Sequence, residues 1–140
     1  MPNPGIFTGF DASSSAMSAE RLRMTVASQN LANANSTRRL EDGLPYARQR
    51  VVFRTVFDQA GRPTGAVDSQ VVQSPKYASH HDPSHPDADA NGVVTSADID
   101  PVLEMVDLMI ASKSYEANAN AVRGAVRMHE AALRLGDIQG

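Results

Sequence analysis

The longest periodic segment of the chain runs from Pro101 to about Leu135. Asp100 stands where an N-cap is expected, Pro101 suits the first helical position, and Gly136 stands where a terminating glycine is common. Apolar or small residues recur along the segment at steps of three and four, apart from one polar position near Ser114, which predicts a helix about 52 Å long. The inward-facing positions are Leu103, Val106, Ile110, Ala117, Ala121, Gly124, Met128, Ala131 and Leu135.

A second long helix is predicted from about Phe10 to Asn35. Its large apolar residues repeat at a spacing of seven, which is typical of a narrow coiled-coil seam. The helix should stop within residues 33–36, because Asn and Ser side chains compete there for backbone hydrogen bonds. The residues of this seam are Phe10, Met17, Met24 and Leu31.

The segment between these helices has a different character. Pro and Gly interrupt it, and short β-branched runs replace the helical period. A strand is predicted within Tyr46 to Phe57, followed by a turn that begins at Asp58, and a second short strand is predicted over 66–72. From Ser74 to Pro101 the chain is rich in His, Asp and Pro, which predicts a surface loop.

These elements predict a mainly α fold in one structural unit. An N-terminal axial helix (8–36) pairs with a C-terminal axial helix (101–136) as an antiparallel coiled coil, with a small β-rich or irregular insert (37–100) between them. The chain has 140 residues with no Trp and 5% aromatic residues. Alanine buries little area, so burial against neighbouring subunits is expected to complete the fold.

Several classes of protein are disfavoured by composition. The chain has no cysteine, which excludes disulfides and thiolate catalysis. No run approaches the roughly 20 apolar residues of a transmembrane helix, so direct membrane insertion is not expected. The N-terminus has neither a positive cluster nor an apolar core, so we expect no cleaved secretory signal.

Charge is distributed unevenly along the chain. Eight arginines stand against five acidic residues up to Arg62, whereas five basic residues stand against eleven acidic ones from Pro63 onward. The arginines are dispersed and interleaved with acids, which does not favour nucleic-acid binding. Oppositely charged halves suit head-to-tail contacts between identical or similar subunits.

The segment from Asp87 to Asp98 matches much of a calcium-binding EF-hand loop, with oxygen ligands at positions one, three, five and twelve. Pro83 and Pro86 exclude the helix that normally precedes such a loop. We therefore favour a turn held by Asx hydrogen bonds, with a calcium-dependent binding module as the alternative function.

No catalytic arrangement has a convincing context, so neither enzyme activity nor a cofactor is predicted. The nearby histidines are expected in a solvated loop rather than as metal ligands: His80, His81 and His85.

Three segments carry a resemblance to a known family. Residues 24–35, which end in an Asn-Leu-Ala-Asn-x-Asn run, resemble the N-terminal signature of flagellar rod and hook-type axial proteins. His85 to Gly92 is similar to a segment of the proximal-rod C protein family, and residues 104–109 and 114–118 are similar to its C-terminal helix. The family usually continues the Asn run with Thr-Pro-Gly-Tyr, where this chain has Ser-Thr-Arg-Arg-Leu, so no Pro-Gly turn is predicted.

The resemblance implies a structural subunit of the proximal rod in the flagellar basal body. Its terminal helices would line an inner tube and transmit torque as part of a drive shaft for motility. Its partners would be further copies of itself, other rod subunits, membrane-ring and rod-adaptor proteins, and the flagellar type III export apparatus. Localisation would be the periplasm-spanning rod, reached without a cleaved signal. The predicted assembly contacts are the seam residues of the first helix and the inward-facing positions of the second helix other than Ala131. The signature, which already includes Leu31, adds three more: Asn30, Asn33 and Asn35.

Overall fold

A computed structural model describes the backbone of residues 4–137 and the side chains of residues 9–134. Within this part of the chain, two long helices flank four strands in sequence order. The helices are α1 (Pro4–Ala32) and α2 (Pro101–Asp137), and the strands are β1 (Gln49–Phe57), β2 (Pro63–Gln73), β3 (Tyr77–His81) and β4 (Val93–Ala97).

Helix α1 ends where asparagine replaces the regular hydrogen bonds. The backbone N–H of Asn33 donates to the carbonyls of both Gln29 and Asn30 at 3.1 Å. The Asn33 side-chain amide also donates to the Gln29 carbonyl at 2.8 Å, which satisfies one of the exposed carbonyls at the helix end. The predicted stop is therefore confirmed, whereas the helix begins at Pro4, earlier than the predicted start at Phe10.

Helix α2 has the predicted N-cap. Asp100 Oδ1 accepts the backbone N–H of Val102 at 2.8 Å and that of Leu103 at 3.4 Å. Pro101 occupies the first helical position, where the absence of an N–H costs nothing. The 37-residue helix closely follows the predicted bounds.

Strands β1 and β2 pair as a two-stranded sheet. Asp58 closes the turn between them, because its Oδ1 accepts the backbone N–H groups of Ala60 and Arg62, both at 2.8 Å. Gly61 has a φ of 73°, a conformation that glycine adopts without strain. The predicted turn is confirmed, and both strands lie close to their predicted positions.

Strands β3 and β4 form a second antiparallel sheet, whose register runs from Tyr77 opposite Ala97 to His81 opposite Val93. The prediction of a surface loop throughout this segment is wrong for these ten residues. The side chains of β3 are mostly polar and exposed, so its sequence has no alternation of hydrophobicity that would predict a strand. Its position is set by the pairing with β4, where Val94 is fully buried.

The prediction of a mainly α fold built on an antiparallel coiled coil is also wrong. The chain is a mixture of two helices and two small antiparallel sheets. A coiled coil buries its seam, yet Leu103 is 63% and Met128 is 70% exposed. A sevenfold apolar repeat marks a helix face but does not establish that the chain's own second helix covers it. The most buried side chains of α1 are instead Ala19, Val26, Ala27 and Asn30.

The fold divides into two compact units, and both helices contribute to each. The first unit contains the described residues up to Arg21, Phe53–Ser69, and the residues from Ala111 onward. The second unit contains Leu22–Val52 and Gln70–Ile110.

Small side chains form the interior of the second unit. Ala34, Ala97 and Ile99 make a buried cluster, and Tyr46 packs against it. Such a cluster buries little apolar area, so hydrophobic burial alone stabilises this unit weakly.

In the first unit a serine links a helix to a strand. Ser15 Oγ donates to the carbonyl of Ala12 at 2.9 Å and accepts the backbone N–H of Val67 at 3.0 Å. Strand β2 approaches α1 closely, because a Cβ placed on Gly65 would lie 3.5 Å from the Cβ of Ala12. The Ser15 hydroxyl therefore accepts from a backbone N–H of β2 that the pairing of the two strands leaves unsatisfied.

The chain leaves α1 through side-chain contacts rather than a Pro-Gly turn. Thr37 Oγ1 donates to Asp87 Oδ2 at 2.7 Å. Further on, the backbone N–H of Leu40 donates to the carbonyl of Leu44 at 2.8 Å, around Gly43 with a φ of 78°. The segment after the Asn run is thus anchored on the segment from Asp87 to Asp98, which we call the Asp-rich loop.

We expect Gly92→Ala to destabilise the chain by about 1–3 kcal/mol. Gly92 has a φ of 72°, and a Cβ there would lie 2.9 Å from Pro83 Cγ. Gly124→Ala is the matched control: nothing lies within 4 Å of its Cβ position in α2, so a gain of about 0.5–1 kcal/mol is expected. The free energy of unfolding in denaturant measures both, and equal effects would contradict the assigned backbone geometry.

Candidate assembly site

Asn30, from the Asn-Leu-Ala-Asn run, lies at the centre of a buried polar network in the second unit. Its side chain is 1% exposed. Asn30 Nδ2 donates to the Gln49 carbonyl at 2.8 Å and to Glu104 Oε2 at 2.9 Å. Asn30 Oδ1 accepts the Tyr46 hydroxyl at 2.9 Å and the Gln49 N–H at 3.0 Å. Both donors and both lone pairs of the amide are therefore used.

Glu104 brings a buried charge into this network, with only 2% of its surface exposed. Its Oε1 accepts Nε and Nη2 of Arg48, each at 2.7 Å. A buried carboxylate is tolerated only when it is paired and hydrogen-bonded, and here both oxygens have partners. The network consequently ties α1, the segment entering β1, and α2 to one another.

The network also changes the ionisation of Tyr46. Burial raises the pKa of its hydroxyl, the charge of Glu104 raises it further, and Arg48 opposes both effects. A raised pKa keeps Tyr46 neutral and able to donate to Asn30 at physiological pH. The stabilisation that the neutral Tyr46 hydroxyl provides is present below the ordinary tyrosine pKa, and it declines as the pH rises above that value.

An ion pair holds the same two helices further along. Arg23 donates through Nε to Asp107 Oδ2 at 3.2 Å and through Nη2 to Asp107 Oδ1. Arg23 precedes Asn30 in α1, whereas Asp107 follows Glu104 in α2, so the helices run antiparallel within this unit. A two-point arginine–carboxylate contact constrains geometry more than a single bond does, so it fixes the register of this helix pair.

The outer side of this part of α2 is apolar and exposed. Its six large side chains are between 42% and 65% exposed. Monomeric proteins seldom leave so many large apolar residues together in water, and such patches commonly mark interaction surfaces. We call these residues the α2 stripe: Val102, Leu103, Met105, Val106, Met109 and Ile110.

The first unit contains an open apolar groove of about 460 Å³ between the two helices. Most of its lining residues are small or apolar. We call it the alanine groove, and its lining includes Gly9, Phe10, Ala121, Ala125, Met128 and Ala132.

The predicted assembly residues are distributed over all degrees of burial. Three of them belong to the α2 stripe and three to the alanine groove, while Asn30 is buried in the polar network. Half-buried positions are Met17, Met24, Leu31, Asn33 and Gly124, and exposed ones are Phe10, Asn35, Leu103, Val106, Ile110, Ala117, Ala121 and Met128. The side chain of Leu135 lies outside the residues whose side chains are described.

Sequence reasoning missed the partners of Asn30. The sequence indicates Glu104 only as part of the family-like segment 104–109, and it does not distinguish Tyr46 or Arg48 as partners of Asn30. Glu104 is 74 residues from Asn30 and 56 from Arg48 along the chain, and no local pattern reports such distant pairing. The available signal was the polar Asn30 itself, which follows the apolar Val26 and Ala27 at helical steps of four and three and so shares their face of α1.

The Asp-rich loop uses its carboxylates within the protein. Asp89 Oδ1 accepts two backbone N–H groups at 2.8 Å, and these bonds are the main reason that the pKa of Asp89 is lowered. Asp87 accepts from Thr37, and Asp98 pairs with Lys76 at 2.8 Å. Among the described side chains, no group of three or more His or acidic residues is arranged to hold a metal ion. Nothing here supports the calcium-binding alternative.

Neither helix, over the residues that the structure describes, has an apolar stretch long enough to cross a membrane.

Comparison with known proteins points to one class. Residues 10–39 match the family model of flagella basal body rod proteins, and residues 90–135 match that of the flagellar basal body rod FlgEFG protein C-terminal region. The two matches cover most of α1 and α2, the helices that contribute Asn30 and Glu104 to the polar network and carry the α2 stripe. The class defined by these elements is therefore the structural proteins of the flagellar rod.

Relatives similar over nearly the full length define the family more closely. The chain is 41% identical to the flagellar basal-body rod protein FlgC of Salmonella typhimurium, with 91% of this chain and 95% of the relative covered. It is 34% identical to FlgC of Bacillus subtilis, over 93% of this chain and 97% of the relative. It is 33% identical to FlgC of Borreliella burgdorferi, over 94% and 97% respectively. The chain belongs to the FlgC family of flagellar basal-body rod proteins, and the resemblance inferred from its sequence is confirmed.

We expect Asn30→Asp to lower the free energy of unfolding by at least about 2 kcal/mol. The change preserves shape but replaces the donating amide with an oxygen facing Glu104 and the Gln49 carbonyl. Asn33→Asp is the matched control, since Asn33 Nδ2 donates only to an exposed helix-end carbonyl, and about 1 kcal/mol or less is expected. Denaturant unfolding measures both, and similar losses would show that the buried network is not the stabilising element.

Calorimetric titration with calcium should show no binding tighter than about 1 mM, the weak end of known calcium loops. The reason is that Asp87, Asp89 and Asp98 already have separate partners within the protein. Micromolar binding that Asp87→Ala abolishes would contradict this assignment.

Proposed function

We propose that this rod protein polymerises through its terminal helices to form part of the proximal drive shaft, which transmits torque for motility. The observation that carries the proposal is the α2 stripe, whose six large apolar side chains are left in water by the chain itself. In a polymer a neighbouring subunit would cover them, and their burial would supply the stabilisation that an alanine-rich interior lacks.

The polar network suits a part that bears load. Twisting α1 against α2 in the second unit would have to separate Asn30 from Glu104 and Arg23 from Asp107 together. Buried polar groups without partners cost more than the net gain of a hydrogen bond, so such a unit resists gradual deformation. These two contacts therefore resist rotation of the helices as well as their separation, and a subunit that transmits torque needs both properties.

The assembly contacts proposed for this function are the sequence-derived positions on both helices. Of these, Leu103, Val106 and Ile110 belong to the exposed stripe, and Leu31 is half-buried beside the network. Asn30 acts indirectly, by holding the helices in the arrangement that presents those surfaces. No catalytic step forms part of the proposed role.

The proposed partners are other copies of this chain, the other rod subunits, and the membrane-ring and rod-adaptor proteins of the basal body. The proposed location is the periplasm-spanning part of the rod. Delivery through the flagellar type III apparatus without a cleaved signal completes the proposal. The family to which the chain belongs supports each of these proposals.

Leu31→Asp should block entry into the rod while leaving expression and export unchanged. A carboxylate at a helix contact between subunits would be buried without a partner, at a cost of several kcal/mol. Leu31 is only half-buried in the isolated chain, so the monomer should tolerate the change. The measurement is motility, together with the amount of variant in isolated basal bodies, in cells lacking their own copy of the subunit.

Leu31→Met, which keeps the apolar volume, is the control and should restore normal swimming. Wild-type motility with the Asp variant present in basal bodies would contradict the proposed role of Leu31. Loss of folded protein in the cell would show instead that the monomer itself depends on this residue.

A further inference from the structure

We propose that Asn91 and Gly92 form a site of spontaneous covalent modification, at which the folded loop suppresses the loss of ammonia from the Asn91 side chain. Asn91 is exposed in the loop between β3 and β4. Of the seven asparagines in the chain, it is the one that glycine follows. Asparagine is a thermolabile residue, and a following glycine has no side chain to hinder attack on its amide. The sequence therefore makes Asn91 the most reactive asparagine of the chain.

The reaction takes place within the chain. The backbone nitrogen of Gly92 attacks the side-chain carbonyl carbon of Asn91, and the new C–N bond closes a five-membered succinimide ring. The amide nitrogen leaves as ammonia, with the proton that the Gly92 nitrogen loses. Water then opens the ring at one of its two carbonyl carbons. The product is either aspartate or isoaspartate, in which the main chain passes through the former side chain.

The turn that contains Asn91 holds the reacting atoms apart. The Gly92 N–H donates to the Asp89 carbonyl at 2.9 Å, which makes residues 89–92 a hydrogen-bonded β-turn. Among the described residues only glycines have a positive φ, so the turn is of type I and the ψ of Asn91 is about 0°. At that ψ the Gly92 nitrogen eclipses the Asn91 nitrogen and lies about 120° from Asn91 Cβ around the Cα–C bond. The ring closes only when the Gly92 nitrogen and Asn91 Cβ are eclipsed, so the turn must open first.

Further hydrogen bonds keep the turn closed. Asp89 Oδ1 accepts the backbone N–H groups of Asn91 and Val93, both at 2.8 Å. The Gly92 carbonyl accepts the Asp82 N–H at 2.9 Å. Rotation about ψ of Asn91 moves Gly92 away from its partners on both sides. Modification is therefore coupled to local opening of the loop.

Modification would alter the second sheet as well as one surface side chain. Strand β4 begins at Val93, directly after the site, and Val93 pairs with His81. Isoaspartate adds a main-chain carbon just before this strand, which shifts the strand relative to β3. A chain that folds promptly is therefore protected, whereas a chain that stays open accumulates an irreversible change at this position.

The full-length chain is incubated folded in buffer and unfolded in denaturant, and it is then digested. Mass spectrometry follows the Asn91 peptide, and chromatography separates its aspartate and isoaspartate forms. We expect the reaction in the folded chain to be at least about tenfold slower than in denaturant, the factor given by a local opening free energy of ~1.4 kcal/mol. Asn35 is exposed and followed by serine, so it is the internal control and should react more slowly than Asn91 in denaturant.

Asp89→Ala removes both carboxylate bonds to the turn and should raise the rate in the folded chain several-fold. Asp98→Ala is the matched control and should leave the rate unchanged, because Asp98 belongs to the same loop but pairs with Lys76. Circular dichroism under the reaction conditions shows whether each variant is folded.

Equal rates for the folded and the unfolded wild-type chain, or no reaction at Asn91 in denaturant, would overturn the inference. A folded Asp89→Ala variant that reacts as slowly as Asp98→Ala would overturn the role given to Asp89. If Asp89→Ala unfolds, the comparison of the folded and unfolded wild-type chain decides alone.

Discussion

The buried hydrogen bonds between Asn30 and Glu104 are the contact on which the rest of the second unit depends. They join two helices from opposite ends of the sequence, and they place a carboxylate where only Arg48 and an amide can stabilise it. The surrounding apolar cluster consists mainly of small side chains, so directional polar contacts decide how the helices align. The exposure of the α2 stripe follows from this arrangement, because α2 turns Glu104 inward and its large apolar residues outward.

The chain combines a buried polar network with exposed apolar surfaces, which is unusual for a protein that acts as a monomer. A typical small domain buries its large apolar residues and leaves polar ones in water. Here Asn30 and Glu104 are buried, while Leu103, Met109 and Met128 are among the most exposed side chains. The inversion suits a member of a rod family, since the proposed contacts with neighbouring subunits would cover the exposed residues. The polar network then acts as an internal frame for the surfaces that assembly uses.

How much of this was predictable depends on the range of each interaction. Both helices, the C-terminal end of α1, the Asp100 cap and the Asp58 turn follow from contacts within a few residues, and the sequence predicts them well, although α1 begins at Pro4 and not at Phe10. Strand β3 could not be predicted, because its pairing with β4 is non-local and its own residues are polar. The sevenfold repeat of α1 led to a coiled coil for a related reason. Periodicity identifies an apolar face, but it does not distinguish a partner helix of the same chain from one of a neighbour.

The separation of the network partners along the chain has a consequence for the order of folding. Glu104 is 74 residues from Asn30, so the buried amide of Asn30 has the Gln49 carbonyl but lacks its second acceptor until the last third of the chain is available. Contacts between residues so far apart in sequence cost loop-closure entropy before they form, and chains that depend on them fold more slowly. Until then the N-terminal segment has little apolar burial to hold it. A chain that is still being synthesised therefore cannot complete the polar network. The network forms in a step that requires both helices at once.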